Sequence, residues 1–419
     1  MNLLQIKKLY SFIVPSKVRK VLGEFHLIDH IILKKRTLLY KKTILRLQNK
    51  NEWNVVFFAM DISFWKYDSL FRLMQNHPQF HPVIFLAPSL QLLPETKEKV
   101  VSTMRDAFIS RGYEIINSIS NFPPDIIFYT QPYRNSIQEH LTFYNFPNAL
   151  PCYIPYAFWM SYYRWGYDMP LHNYAWMLFY PTIIHKQNAE KLAFNKGENI
   201  SITGYPTADD FLEKKIITSP WHPDDKIKVI WAPHHSIFAK DLSDCASFLE
   251  YASFMQKIAK KYKESIQIAF KPHPLLKNKL YQHPNWGIEK TERYFDFWKE
   301  GNNTILSEGD YIDLFLSSDA LIHDCGSFTI EYLYTKKAVM YNGNPRDSIL
   351  CPFGKLATEA HYTNKEMGVE DFIKNVVIEK NDEKKNLREH FFEKYLLPPN
   401  NQTVSQNILN AILSGIKKT

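Results

Sequence analysis

The chain has 419 residues, of which 45% are hydrophobic and 15% aromatic, and its formal net charge is +8. This composition excludes a disordered or collagen-like chain, and the length predicts two or three folded domains. The four cysteines are widely spaced and form no CxxC pair, which excludes a disulfide framework and favours a reducing, cytoplasmic environment.

Residues 1–50 form a basic leader, with twelve Lys or Arg against Glu24 and Asp29. Its apolar stretches are too short for a transmembrane helix, which needs about 20 apolar residues, and for a secretory signal peptide. No nucleic-acid recognition motif accompanies the charge, so no nucleic-acid partner is expected. Two interpretations stay open. The leader is either a helical anchor on an anionic membrane, peripheral to the inner face of the plasma membrane, or a basic helix that packs on the chain's own body.

Short β-rich runs alternate with helical patterns beyond the leader. The strands predicted in the first half are 53–59, 82–87, 113–117, 125–130, 151–155, 179–184 and 199–203, with helices over 65–76, 96–111, 135–146 and 186–195. The second half repeats the rhythm, with strands over 227–232, 266–271, 304–306, 319–323 and 338–341 and helices over 244–263, 292–300, 311–318 and 327–335. Apolar strands separated by helices indicate parallel sheets covered on both faces.

The predicted fold class is therefore α/β, with two Rossmann-like doubly wound domains facing a central cleft. The first domain spans 51–215 and the second 227–395, and 396–419 is a C-terminal helix. Between the domains, 216–226 contains two prolines and no periodicity, which predicts a linker. Ligands of such sheets bind beyond the carboxyl ends of the strands.

Unusual polar residues follow three strands of the second domain. They are Pro233-His234-His235 after 227–232, Lys271-Pro272-His273-Pro274 at the end of 266–271, and His323-Asp324-Cys325-Gly326-Ser327 at the end of 319–323. Because parallel strands end at one edge of a sheet, we expect these residues to gather there. A lysine, several histidines and a helix N-terminus, which carries about half a positive charge, favour an anion such as phosphate.

The turn that opens the helix over 327–335 has two readings. In the first, Gly326 lets the backbone approach a ligand, Ser327 bonds a phosphate oxygen, and Glu331 accepts hydrogen bonds from ribose hydroxyls. In the second, Asp324 or Ser327 is an ordinary N-cap with Glu331 as its capping partner. The other two strand ends favour the ligand-binding reading.

His273, His234 and His235 are the predicted catalytic residues. His273 is held rigidly between two prolines, and histidine titrates near neutral pH. Because His234 and His235 are adjacent, we expect at most one of them to face the ligand. No HxH or HxxxH pair accompanies them, so we predict no metal site and no cofactor.

These motifs resemble the CDP-glycerol glycerophosphotransferase family, the teichoic-acid primases and polymerases with a GT-B fold. "KPHP" is similar to the family's Lys-x-His-Pro signature, and "LIHDCGSFTIEY" to its Asp-Tyr-Ser-Ser segment, with Gly326 in place of the first serine. "TGYPTADDFL" resembles its Gly-Tyr-Pro-Arg-Asn-Asp segment and departs from it at Thr207 and Ala208. The resemblance covers about residues 120–350.

The resemblance implies transfer of glycerol or ribitol phosphate from a CDP-linked donor. The acceptor would be a hydroxyl of a polyol phosphate or lipid-linked saccharide in a cell-surface polymer. The donor-binding residues that it implies are Lys271, Pro274, His323, Asp324, Gly326, Ser327, Glu331, Gly204, Tyr205, Pro206 and Asp209.

One family motif is missing. The family carries a His-Gly-Thr motif whose histidine is regarded as the catalytic base, whereas the corresponding stretch here, "CYIPYAFWM" (152–160), has no histidine. His172, His234 or His235 then replaces it, or the acceptor differs. Two other functions stay open: a GT-B glycosyltransferase that uses a nucleotide sugar in capsule or lipopolysaccharide synthesis, and a non-catalytic nucleotide-binding or scaffold relative.

Overall fold

The computed structural model describes residues 27–213, 218–238, 246–324, 326–343 and 350–417. The chain divides into two compact units. Unit 1 comprises the chain up to Pro206 and the segment from Pro398 onward, whereas unit 2 is the continuous segment Thr207–Leu397. Unit 1 is therefore assembled from two pieces of chain that are far apart in the sequence.

Unit 1 is a doubly wound α/β structure. Its elements up to Pro206 are α1 (Leu27–Gln48), β1 (Trp53–Ala59), α2 (Asp68–Gln75), β2 (Phe80–Leu86), α3 (Pro94–Ser110), β3 (Ile115–Ile116), β4 (Ile126–Tyr129), β5 (Leu150–Tyr153), α4 (Pro170–Tyr174), β6 (Met177–Tyr180), α5 (Ile183–Leu192) and β7 (Ile200–Ile202). The strands form a parallel sheet in the order β3-β2-β1-β4-β5-β6-β7. Its centre is aromatic and buried: the rings of Phe57 and Phe128 stack at 4.5 Å across β1 and β4.

Unit 2 repeats the architecture. Its elements are α6 (Thr207–Glu213), β8 (Ile227–Ala232), α7 (Phe248–Lys261), β9 (Ile266–Phe270), α8 (Leu276–Gln282), α9 (Gly287–Glu300), β10 (Thr304–Leu306), α10 (Ile312–Ser317), β11 (Ala320–His323), α11 (Phe328–Glu331), β12 (Ala338–Tyr341), α12 (Pro352–Glu359), β13 (Tyr362–Thr363), α13 (Val369–Asp371) and α14 (Lys385–Phe391). The parallel sheet has the order β10-β9-β8-β11-β12-β13. The strand order reverses between β8 and β11, which is where ligands of such sheets bind.

One predicted helix is wrong. Residues 135–146 form the short 3₁₀ turns Arg134–Ser136, Glu139–Leu141 and Phe143–Asn145 instead. Side chains there compete with the helical hydrogen bonds: the Thr142 hydroxyl and the Asn145 amide both donate to the carbonyl oxygen of Glu139, at 2.8 and 2.7 Å.

The described part of the basic leader is an integral helix of unit 1. One face of α1 is buried, and Arg36 on that face lies over the rings of Tyr40 and Phe143. At its end, the Arg46 guanidinium donates to Asp125, which precedes β4, at 2.7 Å. This buried face fits the expectation of a helix packed on the chain's own body; residues 1–26 lie outside the described part of the chain. No helix among the described residues is long and apolar enough to cross a bilayer.

The unit boundaries also differ from the predicted domains. Unit 2 begins at Thr207 instead of 227, because the described part of the predicted linker packs against it. In that segment, the Trp221 indole donates to Ser317 at 2.9 Å and the His222 backbone N–H donates to Gln267 at 3.0 Å. The final helix, α15 (Val404–Lys417), belongs to unit 1, where the Gln48 amide donates to the carbonyl oxygen of Ile416 at 2.7 Å.

Candidate functional site

The three polar strand ends lie at one edge of the unit 2 sheet. Strand β8 pairs with both β9 and β11, and the register sets Trp231 beside Phe270 and Ala232 beside His323. The residues that follow these strands therefore emerge together, on both sides of the point where the strand order reverses. The His273 backbone N–H donates to the carbonyl oxygen of Pro233 at 3.1 Å, which joins two of the three loops.

A cluster of three imidazoles forms at this edge. The ring centroids of His235 lie 4.2 Å from those of both His234 and His273, and the His234 and His273 centroids are 5.1 Å apart. Both adjacent histidines thus lie against His273, although at most one of them was expected to face the ligand. The chain turns after Pro233, so the alternation of side chains along a strand does not apply there.

His273 is a neutral imidazole at physiological pH. Burial, the largest cause, and the neighbouring charges of His235, His234, Lys279 and Lys271 together lower its pKa to about 3. Its Nδ1 accepts the Leu275 backbone N–H at 3.1 Å, so the proton of the neutral ring is on Nε2. That nitrogen can donate a hydrogen bond to an anion.

Asp324 holds the loops of the site together. Its carboxylate accepts the backbone N–H of His234, and it also accepts the backbone N–H and hydroxyl of Ser247 at 2.6 and 2.9 Å. It is buried, and burial raises its pKa to about 6. Asp324 thus fixes the loop that presents His234 and His235. Ser247, at the start of α7, was missed because nothing in its local sequence marks it.

Lys271 is buried at the end of β9, and its Nζ donates to the carbonyl oxygen of Gly309 at 2.6 Å. Gly309 has φ +82°, a left-handed conformation that places this carbonyl in the turn after β10. A buried ammonium group held in this way gives the edge a fixed positive charge.

The third strand end departs from the expected anion site. The predicted helix 327–335 consists of α11, only four residues long, followed by the 3₁₀ turn Tyr332–Thr335, and the Ser327 side chain does not cap it. Such a short helix has a weaker dipole than the predicted one. Gly326 is exposed, and Glu331 is buried.

Glu331 lies in the same interior region as Asp209 of α6. The charges of both acids raise the pKa of the buried Tyr334 hydroxyl, after the larger effect of burial itself. This interior position gives no support to the expected contact of Glu331 with ribose hydroxyls.

His323 and Pro274, two of the predicted donor-binding residues, differ in their exposure. His323 is buried, with its ring 5.5 Å from those of Tyr341 and His361, whereas Pro274 is exposed. Asn342, which follows β12 at the same edge, was missed. Its backbone N–H donates to the carbonyl oxygen of His323 at 2.7 Å, and its buried side-chain oxygen has no hydrogen-bond partner among the described residues. Asn342 would have been found if the search for polar residues after strands had included the strand 338–341.

Gly204, Tyr205 and Pro206 lie in unit 1, after β7. Gly204 has φ +94°, and a Cβ there would meet Val404 Cγ2 at 2.7 Å. The Tyr205 hydroxyl donates to the carbonyl oxygen of Tyr156 at 3.0 Å. These contacts make the segment a packing element that joins β7 to α15.

The stretch without the family's histidine is aromatic. After β5, the Tyr156 hydroxyl hydrogen-bonds that of Tyr133 at 2.9 Å. The substitute His172 is 1% exposed, and burial lowers its pKa to about 3. His172 is therefore held neutral inside unit 1.

Residues 169–347 match the model of the CDP-Glycerol:Poly(glycerophosphate) glycerophosphotransferase family. No curated protein matches the chain by sequence. This segment contains the histidine cluster, Lys271 and Asp324.

Several solved structures share the fold. UDP-GlcNAc 2-epimerase from Neisseria meningitidis, bound to UDP-GlcNAc, has 14% identity and a TM-score of 0.54, with 86% of this chain and 99% of that chain covered. MnaA of S. aureus with UDP has 14% identity and a TM-score of 0.52, covering 87% and 96%. A variant of the wall teichoic acid polymerase TagF with CDPG has 14% identity and a TM-score of 0.51, covering 96% and 97%. These likenesses confirm the predicted GT-B fold class.

Proposed function

Since residues 169–347 belong to this glycerophosphotransferase family, as their motifs predicted, we infer that the chain is a CDP-glycerol glycerophosphotransferase-like transferase. We propose that it moves glycerol or ribitol phosphate from a CDP-linked donor to a hydroxyl of a polyol phosphate or lipid-linked saccharide. The observation that carries the proposal is the set of cationic and N–H donor side chains gathered where β8, β9 and β11 end.

The chemistry of this edge suits a diphosphate. Lys271 supplies a buried positive charge, and neutral His273 supplies an Nε2–H donor. Asp324 fixes the backbone of His234, so the donors are positioned before the ligand arrives. Preorganised donors of this kind stabilise charge that develops during a reaction without first having to reorient.

The acceptor hydroxyl attacks the donor phosphorus that carries the polyol. A new bond forms between the acceptor oxygen and that phosphorus, the anhydride bond to the cytidine phosphate breaks, and CMP leaves with the bonding electrons. The hydroxyl proton passes to water. Such transfers depend mainly on positioning and electrostatic stabilisation, so the missing family histidine does not forbid the reaction. Lys271 and the histidine cluster stabilise the charge that accumulates on the leaving CMP.

Donor preference and turnover test this proposal directly. We expect CDP-glycerol or CDP-ribitol to bind the full chain and to release CMP in the presence of a polyol-phosphate acceptor. Removing one hydrogen bond or ion pair to a charged phosphate, in Lys271→Ala or His273→Ala, should weaken donor binding by about 10- to 100-fold. The exposed His140 supplies the matched control, since His140→Ala should bind as the parent does.

The nucleotide-sugar transferase remains the second candidate, because the aromatic stretch after β5 lacks the family's catalytic histidine. Binding of UDP- or GDP-sugars without any binding of cytidine nucleotides would overturn the phosphotransferase proposal. Donor binding without turnover on any acceptor would support the scaffold function instead.

We also propose that the outer face of α1 binds an anionic membrane surface. Ile31, Leu38 and Leu45 are 53, 55 and 54% exposed, and their seven-residue spacing places them in one stripe. The exposed lysines that border the stripe are Lys34, Lys35, Lys41 and Lys42. Apolar side chains flanked by lysines are typical of helices that lie in the headgroup region, where each cation contributes about 1 kcal/mol.

Vesicle cosedimentation tests this surface. The variant Ile31→Ser/Leu38→Ser/Leu45→Ser should lose binding to anionic vesicles while keeping its donor affinity. The matched control replaces three apolar residues that are exposed elsewhere, as Leu93→Ser/Ile109→Ser/Leu387→Ser. Equal vesicle binding by both variants would contradict the proposal.

A further inference from the structure

The histidine cluster has the composition of a metal site. One ring nitrogen from each of His234, His235 and His273 lies within 4.8 Å of the other two, and all three residues are partly buried. Although the sequence alone predicted no metal site at these histidines, we propose that the three imidazoles bind one divalent transition-metal ion of the zinc class. This inference deepens the proposed function, since the ion would bind the donor's phosphates at the same edge, and it rests on that function for its role.

The distances between the ring nitrogens fit a site in which the three imidazoles move slightly towards a bound ion. Tetrahedral zinc with imidazole bonds of about 2.0–2.1 Å has ligand nitrogens about 3.3 Å apart. From a spacing of at most 4.8 Å, each nitrogen reaches that geometry by a shift of less than about 1 Å. Three protein ligands leave the fourth position open, as in catalytic zinc sites and unlike closed structural ones.

The surroundings supply orienting contacts. His234 Nδ1 accepts the Ser236 backbone N–H at 3.3 Å and lies 2.9 Å from the Ser236 hydroxyl. Metal binding through Nε2 moves the ring proton to Nδ1, which then donates to that hydroxyl. The backbone of His234 is fixed by Asp324, a buried carboxylate beside the cluster. Hydrogen bonds of this kind orient metal-binding imidazoles and raise their basicity.

Coordination requires a tautomer change at His273. Its Nδ1 accepts the Leu275 N–H, so binding through Nε2 moves the ring proton to Nδ1 and gives up this one neutral hydrogen bond.

With a metal ion bound, the positive charge of the site suits a diphosphate better than the neutral imidazoles alone do. The three ligands are neutral, so the ion keeps its double positive charge and adds to that of Lys271. A donor phosphate oxygen in the open position would be polarised by the ion as a Lewis acid. Imidazole ligands favour zinc, copper, nickel or iron over magnesium and calcium, which prefer oxygen.

Metal titration of the full chain tests the inference without a donor. After treatment with EDTA and removal of the chelator, we expect one Zn²⁺ or Co²⁺ per chain to bind, with the strong visible absorption of tetrahedral Co²⁺, and no comparable binding of Mg²⁺. The variants His235→Ala and His235→Gln should lower Co²⁺ affinity by about 100-fold or more. His140→Ala, at an exposed histidine, should bind Co²⁺ as the parent does.

Two outcomes would overturn the metal site: parent protein that binds no Co²⁺ or Zn²⁺, or binding that His235→Ala leaves unchanged. The proposed function is tested separately, by CDP-glycerol binding and CMP release in EDTA. If these persist in EDTA but are lost in Lys271→Ala, the phosphotransferase stands and the imidazoles act directly. If the metal binds and no cytidine donor does, the site stands and the function fails.

Discussion

Two buried histidines are expected to make unit 1 sensitive to acid. His172 and His185 are each 1% exposed, and burial lowers their pKa values to about 3 and about 4. A histidine that is neutral in the fold and charged in the unfolded chain contributes stability fully above pH 6.5. This contribution is lost progressively as the pH falls from 6.5 towards the folded-state pKa values of about 3 and about 4, because over that range only the unfolded chain binds the extra proton.

The substitution His172→Asn isolates this effect. Asparagine keeps an acceptor for the Met169 backbone N–H, which His172 Nδ1 accepts at 3.2 Å, but it does not titrate. Between pH 7 and pH 5 the parent's free energy of unfolding should fall by about 2 kcal/mol more than the variant's. Urea unfolding at both pH values measures the difference, and parallel pH profiles would contradict a buried, neutral His172.

The substitution Gly204→Ala distinguishes a packing role from a donor-binding role at this residue, which was predicted to bind the donor. In Gly204→Ala the new methyl group meets Val404 at 2.7 Å in addition to the strain of φ +94°. We expect a loss of roughly 2–4 kcal/mol in unfolding free energy. Gly112→Ala is the matched control: φ is +74° and nothing lies within 4 Å, so only backbone strain of about 1–2 kcal/mol applies.

Donor affinity separates the two roles of Gly204. If the residue only packs, folded Gly204→Ala protein binds CDP-glycerol with the parent's affinity. A selective loss of donor affinity with unchanged stability would return Gly204 to the binding site that the family motif implied.

At the scale of elements, the amphipathic helix α15 packs into unit 1, although the rest of unit 1 lies about 200 residues earlier in the sequence. Its buried face repeats at three- and four-residue spacing, with Ile408, Ile412 and Ile416 all 0% exposed. Ile412→Ala should therefore destabilise unit 1 by about 2–5 kcal/mol. The exposed Ile109→Ala should change the unfolding free energy by less than about 0.5 kcal/mol. Thermal unfolding followed by circular dichroism compares the two, and equal effects would contradict the packing of α15.

Elements were predictable where a continuous apolar run or a clear period marked them. Strands β1, β8, β10 and β12 begin and end where their apolar runs predict. The strand β13 was missed because two residues carry no pattern. The helix over 135–146 failed because Thr142 and Asn145 bond the local backbone, a competition that hydrophobic spacing does not reveal.

At the scale of the whole molecule, the two units are not consecutive stretches of the sequence, because unit 2 is inserted between the two segments of unit 1. Unit 2 is one continuous segment, whereas unit 1 needs residues from both ends. We expect residues 207–397, expressed alone, to unfold cooperatively and to keep the histidine cluster. Residues 1–206 alone should be unstable, because the apolar surface under α15 is exposed, and fusing residues 398–419 to them should restore folding. Circular dichroism melting curves of the three fragments provide the comparison; a stable 1–206 fragment would contradict the division.

The sequence by itself determined the fold class, the resemblance of residues 169–347 to one family and the loops of the candidate site. These depend on local patterns: apolar strand runs, helical spacing and short motifs at strand ends. Only the tertiary structure decided that His234 and His235 both lie against His273, that Asp324 fixes their loop, that Glu331 is buried, and that Gly204 lies close to Val404. Each of these follows from pairings between residues tens or hundreds of positions apart. Strand register and side-chain burial set such distances, and no local pattern encodes them.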